Sequence, residues 1–303
     1  MNKRLFSAGF WFSHLLLLCL LSLVFAPGQK EVAPAASFVV AIGLIEVFYC
    51  YQHGRDKFSA APSGIVVLVW LLLILWELCT TFLNIAHPVL FPAPEDVFYV
   101  FTSQYPVLIR GVLASLSLLG VGFVFALTLG VGFGVLVGWS SLLRQIFYPI
   151  AYVLSPIPAV VFAPYLIAIM PTFRSASVAV IFLGIFWPTF LNMIIRVGTI
   201  DSRIIDSARV MGVSNGEMVV KILLPYMIPG VISGLKVSLA ASVMMLTFAE
   251  MMGATAGMGY YIINYTHYAN YTNVAAGIIL VGFVVSLLNW VVDLLQRKAI
   301  RWK

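Results

Sequence analysis

The sequence predicts an all-α polytopic membrane protein, and its composition, its apolar runs and its basic residues all indicate this class. Of its 303 residues, 62% are hydrophobic and 9% are charged, whereas soluble domains carry about 25% charged residues. Apolar runs of about 18 or more residues recur along the chain and are typical of transmembrane helices. The net charge of +6 is therefore interpreted as basic residues held at one membrane face, and no nucleic-acid partner is expected.

Eight transmembrane helices are predicted. Their approximate limits are 8–26, 35–52, 64–86, 111–138, 146–170, 177–195, 225–250 and 274–294. The second is the weakest, because it is short and carries Glu46. The fifth contains Pro149, Pro156, Pro158 and Pro164. Since proline breaks the helical hydrogen-bond ladder, we expect an irregular helix there, which either lines a path or is kinked for packing alone.

The basic residues assign an orientation. With the N-terminus in the cytoplasm and eight crossings, 13 basic residues fall on the cytoplasmic side and 3 fall outside. The cytoplasmic set is Lys3, Arg4, Arg55, Lys57, Arg144, Arg196, Arg203, Arg209, Lys221, Arg297, Lys298, Arg301 and Lys303. The outside set is Lys30, Arg110 and Arg174, and Lys236 lies inside a span. Because cytoplasmic loops are enriched in Lys and Arg, both termini are expected in the cytoplasm.

The N-terminal segment has two possible interpretations. Lys3-Arg4 followed by an apolar run to Ala26 is compatible with a cleaved signal peptide. Pro27, directly after the candidate cleavage site, and the odd number of spans that cleavage would leave both favour an uncleaved helix. The short polar stretch 52–63 is interpreted as a cytoplasmic linker, so a two-helix extension at 1–60 would precede a six-helix membrane domain at 61–303.

A patterned polar loop, residues 196–224, separates the sixth and seventh predicted spans and is here called the signature loop. The pattern is Asp206-Ser207-Ala208, then three residues, Gly212, nine residues and Ile222-Leu223-Leu224, with Pro225 directly after the loop. Asp206 would lie near the positive end of a short helix, and Ala208 is small enough to permit close approach. Val213 follows the glycine directly.

Helix-capping residues predict a helix, a sharp turn and a second helix in this loop. Asp201 or Ser202 can cap the first helix, and Gly212 can end it in a left-handed conformation. Ser214 and Glu217 have the spacing of a capping box, and Pro225 is expected to mark the start of the next membrane helix. Such a structure can transmit force, whereas a passive connector between two spans cannot.

The signature loop resembles the cytoplasmic loop of the permease subunits of bacterial ABC importers. The family consensus is Glu-Ala-Ala, three residues, Gly, nine residues and Ile-x-Leu-Pro, and this chain keeps the spacing with Asp206 and Ser207 at the first two positions. From about residue 92 onward the chain resembles the sulfonate, taurine, nitrate and bicarbonate branch. The similar segments are Phe91-Pro92-Ala93-Pro94, Ser155-Pro156-Ile157-Pro158, Trp187–Asn192, Gly234-Leu235-Lys236, Ala249-Glu250-Met251, Gly257-Met258-Gly259-Tyr260 and Arg301-Trp302.

The chain departs from that branch in two ways. It has Ile169–Arg174 where the branch commonly shows Trp-Phe-Gly, and it carries two helices before the six-helix core. The resemblance implies a type I ABC importer-like six-helix core plus two extra N-terminal transmembrane helices, in the bacterial cytoplasmic (inner) membrane. Residues 61–303 would then be the permease domain, and the substrate would be a small organic or inorganic anion such as a sulfonate.

The resemblance also implies partners and roles. The signature loop would dock onto a separate ABC ATPase through Asp206, Ser207, Ala208, Gly212, Val213, Ser214, Ile222, Leu224 and Pro225. Further partners would be a periplasmic or lipid-anchored solute-binding protein, a second copy of the chain and membrane lipid. The chain has no phosphate-binding Gly-x-x-x-x-Gly-Lys-Ser/Thr motif, so ATP and Mg²⁺ are expected in the partner, and no catalytic residue is predicted.

Four residues are candidates for the translocation path: Glu250, Asn192, Trp187 and Thr247. Glu250 is the strongest of these candidates, because placing an ionisable side chain at membrane depth costs free energy. It could line the path, or it could form a structural hydrogen bond to a neighbouring helix. An ionised glutamate would suit an anion path only if it were paired with a basic residue.

Small residues and cysteines are given structural roles. Gly130 and Gly134 form a small-x-x-x-small pair that favours close helix packing over a gate. Cys19, Cys50 and Cys79 are interpreted as small buried hydrophobes, and no metal-binding motif is present.

Three alternative functions remain open. One is the same architecture importing an uncharged or cationic vitamin precursor. Another is a secondary transporter without an ATPase, although the internal repeats and paired ionisable groups expected for one are not evident. The third, a structural or sensory membrane protein, has no need of the signature loop.

Overall fold

The computed structural model describes residues 8–55 and 61–299, and all the regular structure in these residues is helical. The α-helices are α1 (Ala8–Phe25), α2 (Ala36–Arg55), α3 (Ala61–Glu77), α4 (Pro94–Ser103), α5 (Tyr105–Trp139), α6 (Ser141–Leu154), α7 (Ala163–Ile169), α8 (Phe173–Gly198), α9 (Ser202–Val210), α10 (Asn215–Glu217), α11 (Leu224–Gly253), α12 (Met258–His267) and α13 (Tyr271–Ala299). A 3₁₀ turn spans Ala159–Phe162, and π-helical turns span Leu78–Phe82 and Met218–Leu223. Lys3, Arg4, Lys57, Arg301, Trp302 and Lys303 lie outside the described residues.

Each of the eight predicted spans falls on helical backbone in the structure. Within the described part, six helices are long and apolar enough to cross a membrane, and a bent pair could supply a seventh. The apolar part of α1, Gly9–Phe25, has 17 residues, at the lower limit of what a bilayer needs. The all-helical polytopic class predicted from composition is therefore confirmed.

The fifth predicted span is not one irregular helix. It consists of Ser141–Leu154 and Ala159–Ile169, which are bent by 83° relative to each other. Pro156 and Pro158 fall in the break, and two missing backbone donors within three residues prevent α6 from continuing. Pro149 is tolerated inside α6, so the pair of prolines after Leu154 is what ends that helix.

The chain divides into two compact units. Unit 1 comprises Met1–Leu108 and Ile262–Ile279, and unit 2 comprises Ile109–Tyr261 and Leu280–Lys303. In unit 1, the fully buried Trp70 of α3 packs with Leu20 of α1 and Phe38 of α2. Phe38 also stacks on Phe98 of α4 at 5.2 Å between ring centroids. Helix α4 is thereby held against the first three helices.

Unit 2 is organised around α8. One apolar cluster joins Leu118 and Ala126 of α5 to Ile181 of α8, Leu246 of α11 and Val292 of α13. A second cluster extends this packing to the signature loop, with the buried residues Val135, Met193, Val197, Ala208, Met218, Leu223 and Met227. The loop therefore shares a core with the helices that precede and follow it.

A stripe of glycines on α5 lets α8 approach closely. A Cβ added at Gly122, Gly130, Gly134 or Gly138 would meet Ile181, Thr189, Met193 or Val197 respectively. Each glycine and its neighbour are separated by the same 59 residues, so α5 and α8 run parallel in a fixed register. This direction is the one expected of the fourth and sixth spans. The predicted packing role of Gly130 and Gly134 is confirmed, and it extends over four turns.

Polar contacts tie α11 to α13 within unit 2. The Lys236 ammonium lies 2.5 Å from Asp293 Oδ1, and Gln296 Nε2 donates to the Ile232 carbonyl at 2.7 Å. A charge inside a span needs such a partner, so Lys236 is satisfied within the unit.

The prediction that the cysteines are buried was wrong. Cys19 and Cys50 are exposed on their helices, and Cys79 is half-buried. Exposure on a membrane helix brings no penalty to a thiol, because lipid is as apolar as a core. Apolar sequence surroundings therefore do not imply burial here.

The glycine register yields a matched test. Gly134→Ala would press a methyl group against the Met193 side chain and the Phe190 carbonyl, whereas Gly132→Ala meets nothing within 4 Å. We expect Gly134→Ala to destabilise the protein by about 1–3 kcal/mol, as overpacking does, and Gly132→Ala to leave stability unchanged. Thermal unfolding of the detergent-solubilised variants measures the difference, and equal unfolding temperatures would contradict the assigned register.

Candidate functional site

The first helix of the signature loop, α9, begins at a capped aspartate. Asp201 is the N-cap, and its Oδ1 accepts a hydrogen bond from the Arg203 backbone N–H at 3.0 Å. Of the two capping candidates, Asp201 rather than Ser202 takes the position. Asp206 and Ser207 lie exposed on α9, while Ala208 is 2% exposed and packs into the core of unit 2.

A sharp turn ends α9 at Gly212. This glycine has φ of 74°, a left-handed conformation that disfavours any side chain. The Val213 N–H donates to the Ala208 carbonyl at 3.1 Å and the Gly212 N–H to the Arg209 carbonyl at 3.0 Å. These two bonds form a Schellman motif, and Val213 adds the apolar contact that usually accompanies it.

The second helix begins with the predicted capping box. Ser214 Oγ accepts from the Glu217 N–H at 3.4 Å, and Glu217 Oε2 accepts from the Ser214 N–H at 3.2 Å. Lys221 Nζ lies 2.7 Å from Glu217 Oε1 and stabilises the same turn.

Helical backbone continues without a break from Asn215 to Gly253. Pro225 lies in the first turn of α11, as expected, and directly follows the π-helical turn Met218–Leu223. There the Leu224 N–H reaches back five residues to the Val219 carbonyl. The wider turn gives room to the ring of Pro225, which would otherwise press on the preceding turn.

The outer face of the signature loop combines apolar and charged side chains. Val210 is 89% exposed and Met211 is 74% exposed, and the neighbouring side chains of Arg203, Asp206 and Arg209 are exposed as well. Inward-facing residues of the loop, Ala208, Ile222 and Leu224 among them, pack into the core. The loop is therefore anchored on one side and presents an unpartnered apolar pair on the other.

Glu250 lies at the opposite end of α11 and is fully buried. Ser115 Oγ of α5 donates to Glu250 Oε1 at 2.6 Å, and the Gly259 N–H donates to Oε2 at 2.8 Å. The Met258 N–H donates in turn to Ser115 Oγ at 2.8 Å. Both carboxylate oxygens are thus bonded, which corresponds to the structural alternative for this residue.

The backbone at Gly257 and Gly259 packs so closely against the Glu250 turn that neither position has room for a side chain. Gly257 has φ of 137°, and a Cβ there would overlap the Glu250 carboxylate. A Cβ at Gly259 would meet the Thr247 carbonyl oxygen. The Gly-x-Gly spacing therefore lets the backbone close over the carboxylate.

A cavity of about 140 Å³ lies between α8 and α11. Its polar lining consists of Thr189, Asn192, Arg196 and Ser238, with Gly230 and Gly234 opposite. Arg196 Nε donates to Asn192 Oδ1 at 2.6 Å, and a Cβ at Gly230 would overlap the guanidinium. Arg196 forms no ion pair with any described residue. Its two terminal nitrogens are available to an anion.

The four path candidates do not converge. Asn192 lines the α8–α11 cavity, whereas Trp187 packs in an aromatic cluster with Phe186 and Phe190. Thr247 donates to the Val243 carbonyl of its own helix at 2.8 Å. Sequence reasoning missed Arg196, although its spacing of four residues from Asn192 places the two side chains on one helix face. It also missed Ser115, for which no local signal exists.

Comparison with known families gives a match over residues 126–301 to the family described as binding-protein-dependent transport system inner membrane component. The chain is 29% identical over 253 residues to the nitrate import permease protein NrtB of Leptolyngbya laminosa, covering 82% of this chain and 90% of the relative. It is 25% identical over 251 residues to the taurine transport system permease protein TauC of Escherichia coli, covering 80% and 89% respectively.

A solved structure supports the fold. One chain of the MetNI methionine ABC transporter, in a study of its inward-facing conformations, superposes with a TM-score of 0.57 at 21% identity. The match covers 65% of this chain and 98% of that chain. The shared part is therefore smaller than this chain.

The buried carboxylate network generates a stability prediction. Glu250→Ala would leave the Ser115 hydroxyl and the Gly259 N–H without their acceptor, at about 1–3 kcal/mol for each unsatisfied group. We expect a clear drop in the thermal unfolding temperature of the purified protein. Ser117→Ala, which removes an exposed hydroxyl from the same helix as Ser115, is the control. Unchanged stability of Glu250→Ala would contradict the structural role.

Proposed function

This chain belongs to the family of binding-protein-dependent transport system inner membrane components, and on that basis we propose that it is the permease subunit of a bacterial ABC importer that carries a small anion. The subunit forms the translocation path across the inner membrane and takes its energy from separate ATPase subunits. Both termini lie in the cytoplasm, in keeping with the basic residues.

The geometry of the signature loop carries the coupling part of this proposal. A capped helix, a Schellman turn and a capping box make the loop rigid, and its inner side shares a core with α5, α8 and α11. Val210 and Met211 supply exposed apolar contact for a partner. A groove on the ATPase receives this face, so that movement of the ATPase reaches the membrane helices directly.

The substrate class is supported by relatives and by one cavity. NrtB and TauC are named for nitrate and taurine, both of which carry an anionic group. In the cavity between α8 and α11, Asn192 orients Arg196 and leaves its terminal nitrogens free. A guanidinium of this kind suits planar or tetrahedral oxyanions. Arg196 supplies a positive charge to this cavity. The Glu250 carboxylate does not oppose that charge, because its two oxygens are bonded to Ser115 and Gly259.

The working assembly contains more than this chain. Two copies of the permease form a symmetric pair, with two ATPase subunits on the cytoplasmic side and a solute-binding protein on the other. ATP closes the ATPase pair, the signature loops follow, and the cavity turns from inward-facing to outward-facing to accept solute. ATP and Mg²⁺ are bound by the partner subunits, and this subunit performs no hydrolysis itself.

The coupling proposal is tested by substituting the turn glycine. Gly212→Leu forces a side chain into a left-handed conformation at a cost of about 1 kcal/mol or more, and we expect it to lower ATPase recovery and ATP-driven uptake several-fold. Gly216→Leu is the matched control, because Gly216 has open space and no positive φ. Pull-down from solubilised membranes measures recovery. Equal recovery with both variants, or with residues 206–215 replaced by Gly/Ser, would contradict docking through this loop.

The substrate class is tested at Arg196. We expect Arg196→Gln to raise the KM for anion uptake at least tenfold in proteoliposomes with the reconstituted importer, since it removes the only charge among the described residues that line the cavity. Arg174→Gln, which removes a charge from the other end of α8, should leave KM unchanged. Normal anion uptake by Arg196→Gln would argue against an anion site at this cavity. Failure of the unsubstituted importer to take up anions would instead favour an uncharged or cationic substrate.

A further inference from the structure

Three side chains with metal-ligating atoms converge between α1 and α2 of unit 1. They are His14, Glu46 and Cys50, and their ligand atoms all lie within 4.8 Å of one another. His14 Nε2 is 3.1 Å from Glu46 Oε1, and Cys50 Sγ is 3.3 Å from the same oxygen. The signature loop and the α8–α11 cavity use none of these residues, so the cluster needs its own explanation.

The imidazole of His14 is oriented as a ligand. Its Nδ1 lies 2.8 Å from the Phe10 carbonyl oxygen, and because a carbonyl only accepts, Nδ1 carries the proton. In the neutral ring, Nε2 then directs a lone pair at the Glu46 carboxylate, and two acceptors face each other. Only a proton or a cation between them removes that repulsion. Donation from one ring nitrogen to a backbone carbonyl is also the usual support of a metal-bound histidine.

Glu46 has a free oxygen. Its Oε2 is buried and forms no hydrogen bond within residues 8–55 and 61–299, although an unsatisfied buried acceptor is costly. A cation bound beside Oε1 would engage this second oxygen as well. The orphaned atom and the orientation of His14 are separate observations that indicate the same kind of ligand.

We propose that His14, Glu46 and Cys50 form a site for a divalent transition-metal ion of the Zn²⁺ type. Bond lengths of about 2.0–2.3 Å imply tetrahedral edges of about 3.3–3.6 Å between N, O and S ligands, close to the observed 3.1 and 3.3 Å. The metal takes the thiolate of Cys50, whose proton is released on binding. Glu46 Oε2 or a water molecule completes the coordination.

Neighbouring side chains hold the two helices in place for this site. Ser13 Oγ donates to Tyr49 Oη at 3.2 Å, and Tyr49 Oη lies 3.0 Å from Ser63 Oγ of α3. His14 and Cys50 lie toward the ends of α1 and α2 that the orientation places in the cytoplasm, where thiols remain reduced. The bound ion would join α1 to α2 across more than 30 intervening residues and hold the N-terminal pair of helices together.

Cobalt spectroscopy tests this site. The full-length chain, purified in detergent with a tag lacking histidine and stripped by a chelator, is titrated with Co²⁺. We expect one equivalent to bind with a thiolate-to-cobalt charge-transfer band, and Zn²⁺ to abolish that band and raise the unfolding temperature. Cys50→Ser should lose the band, whereas Cys19→Ser, which removes an exposed thiol of α1 outside the cluster, should keep it.

A second variant separates ligand loss from misfolding. His14→Gln should bind Co²⁺ at least tenfold more weakly while eluting as a monodisperse species on gel filtration. Absence of the band in the unsubstituted protein, or its persistence in Cys50→Ser, would overturn the proposal and leave His14 and Glu46 as an ion pair.

Discussion

The close approach of α5 and α8 along four glycines is the contact on which unit 2 depends. Lipid is as apolar as a leucine side chain, so helices in a membrane gain little from hiding apolar surface and are held by direct packing. The constant offset between each glycine and its α8 neighbour fixes both direction and register. Three of the apolar clusters of unit 2 include residues from both helices, and one of these clusters contains the buried side of the signature loop.

Polar groups in unit 2 are arranged around this apolar contact. Glu250, Ser115 and the backbone at Gly259 satisfy one another at one end of α11. Lys236 and Asp293 do so further along. Arg196 is different, because its Nε is bonded to Asn192 while its remaining donors face a cavity. A ligand of opposite charge gains most binding energy at a charged side chain whose hydrogen-bonding groups are partly unsatisfied.

Local features were predictable from the sequence, and contacts between distant segments were not. Capping by Asp201, the left-handed Gly212 and the Ser214–Glu217 box follow from neighbouring residues alone, and all three are present. The prolines after Leu154 signalled an irregular helix, but the 83° bend depends on what the two halves pack against. Ser115 meets Glu250 across 135 residues, and His14 meets Glu46 from a different helix. Neither pair has the spacing of a local sequence motif, because only tertiary packing brings the two residues together.

The unbroken helix from Asn215 to Gly253 has a mechanical consequence. Its 39 residues make a rod of about 58 Å at 1.5 Å per residue, nearly twice the hydrocarbon thickness of about 30 Å. A tilt of about 10° about its Ser214 end displaces the far end by about 10 Å over that length. The capping box and the buried carboxylate thus lie at opposite ends of one rod, and the regular hydrogen-bond ladder of that rod is interrupted at the π turn, at Pro225 and at Pro229.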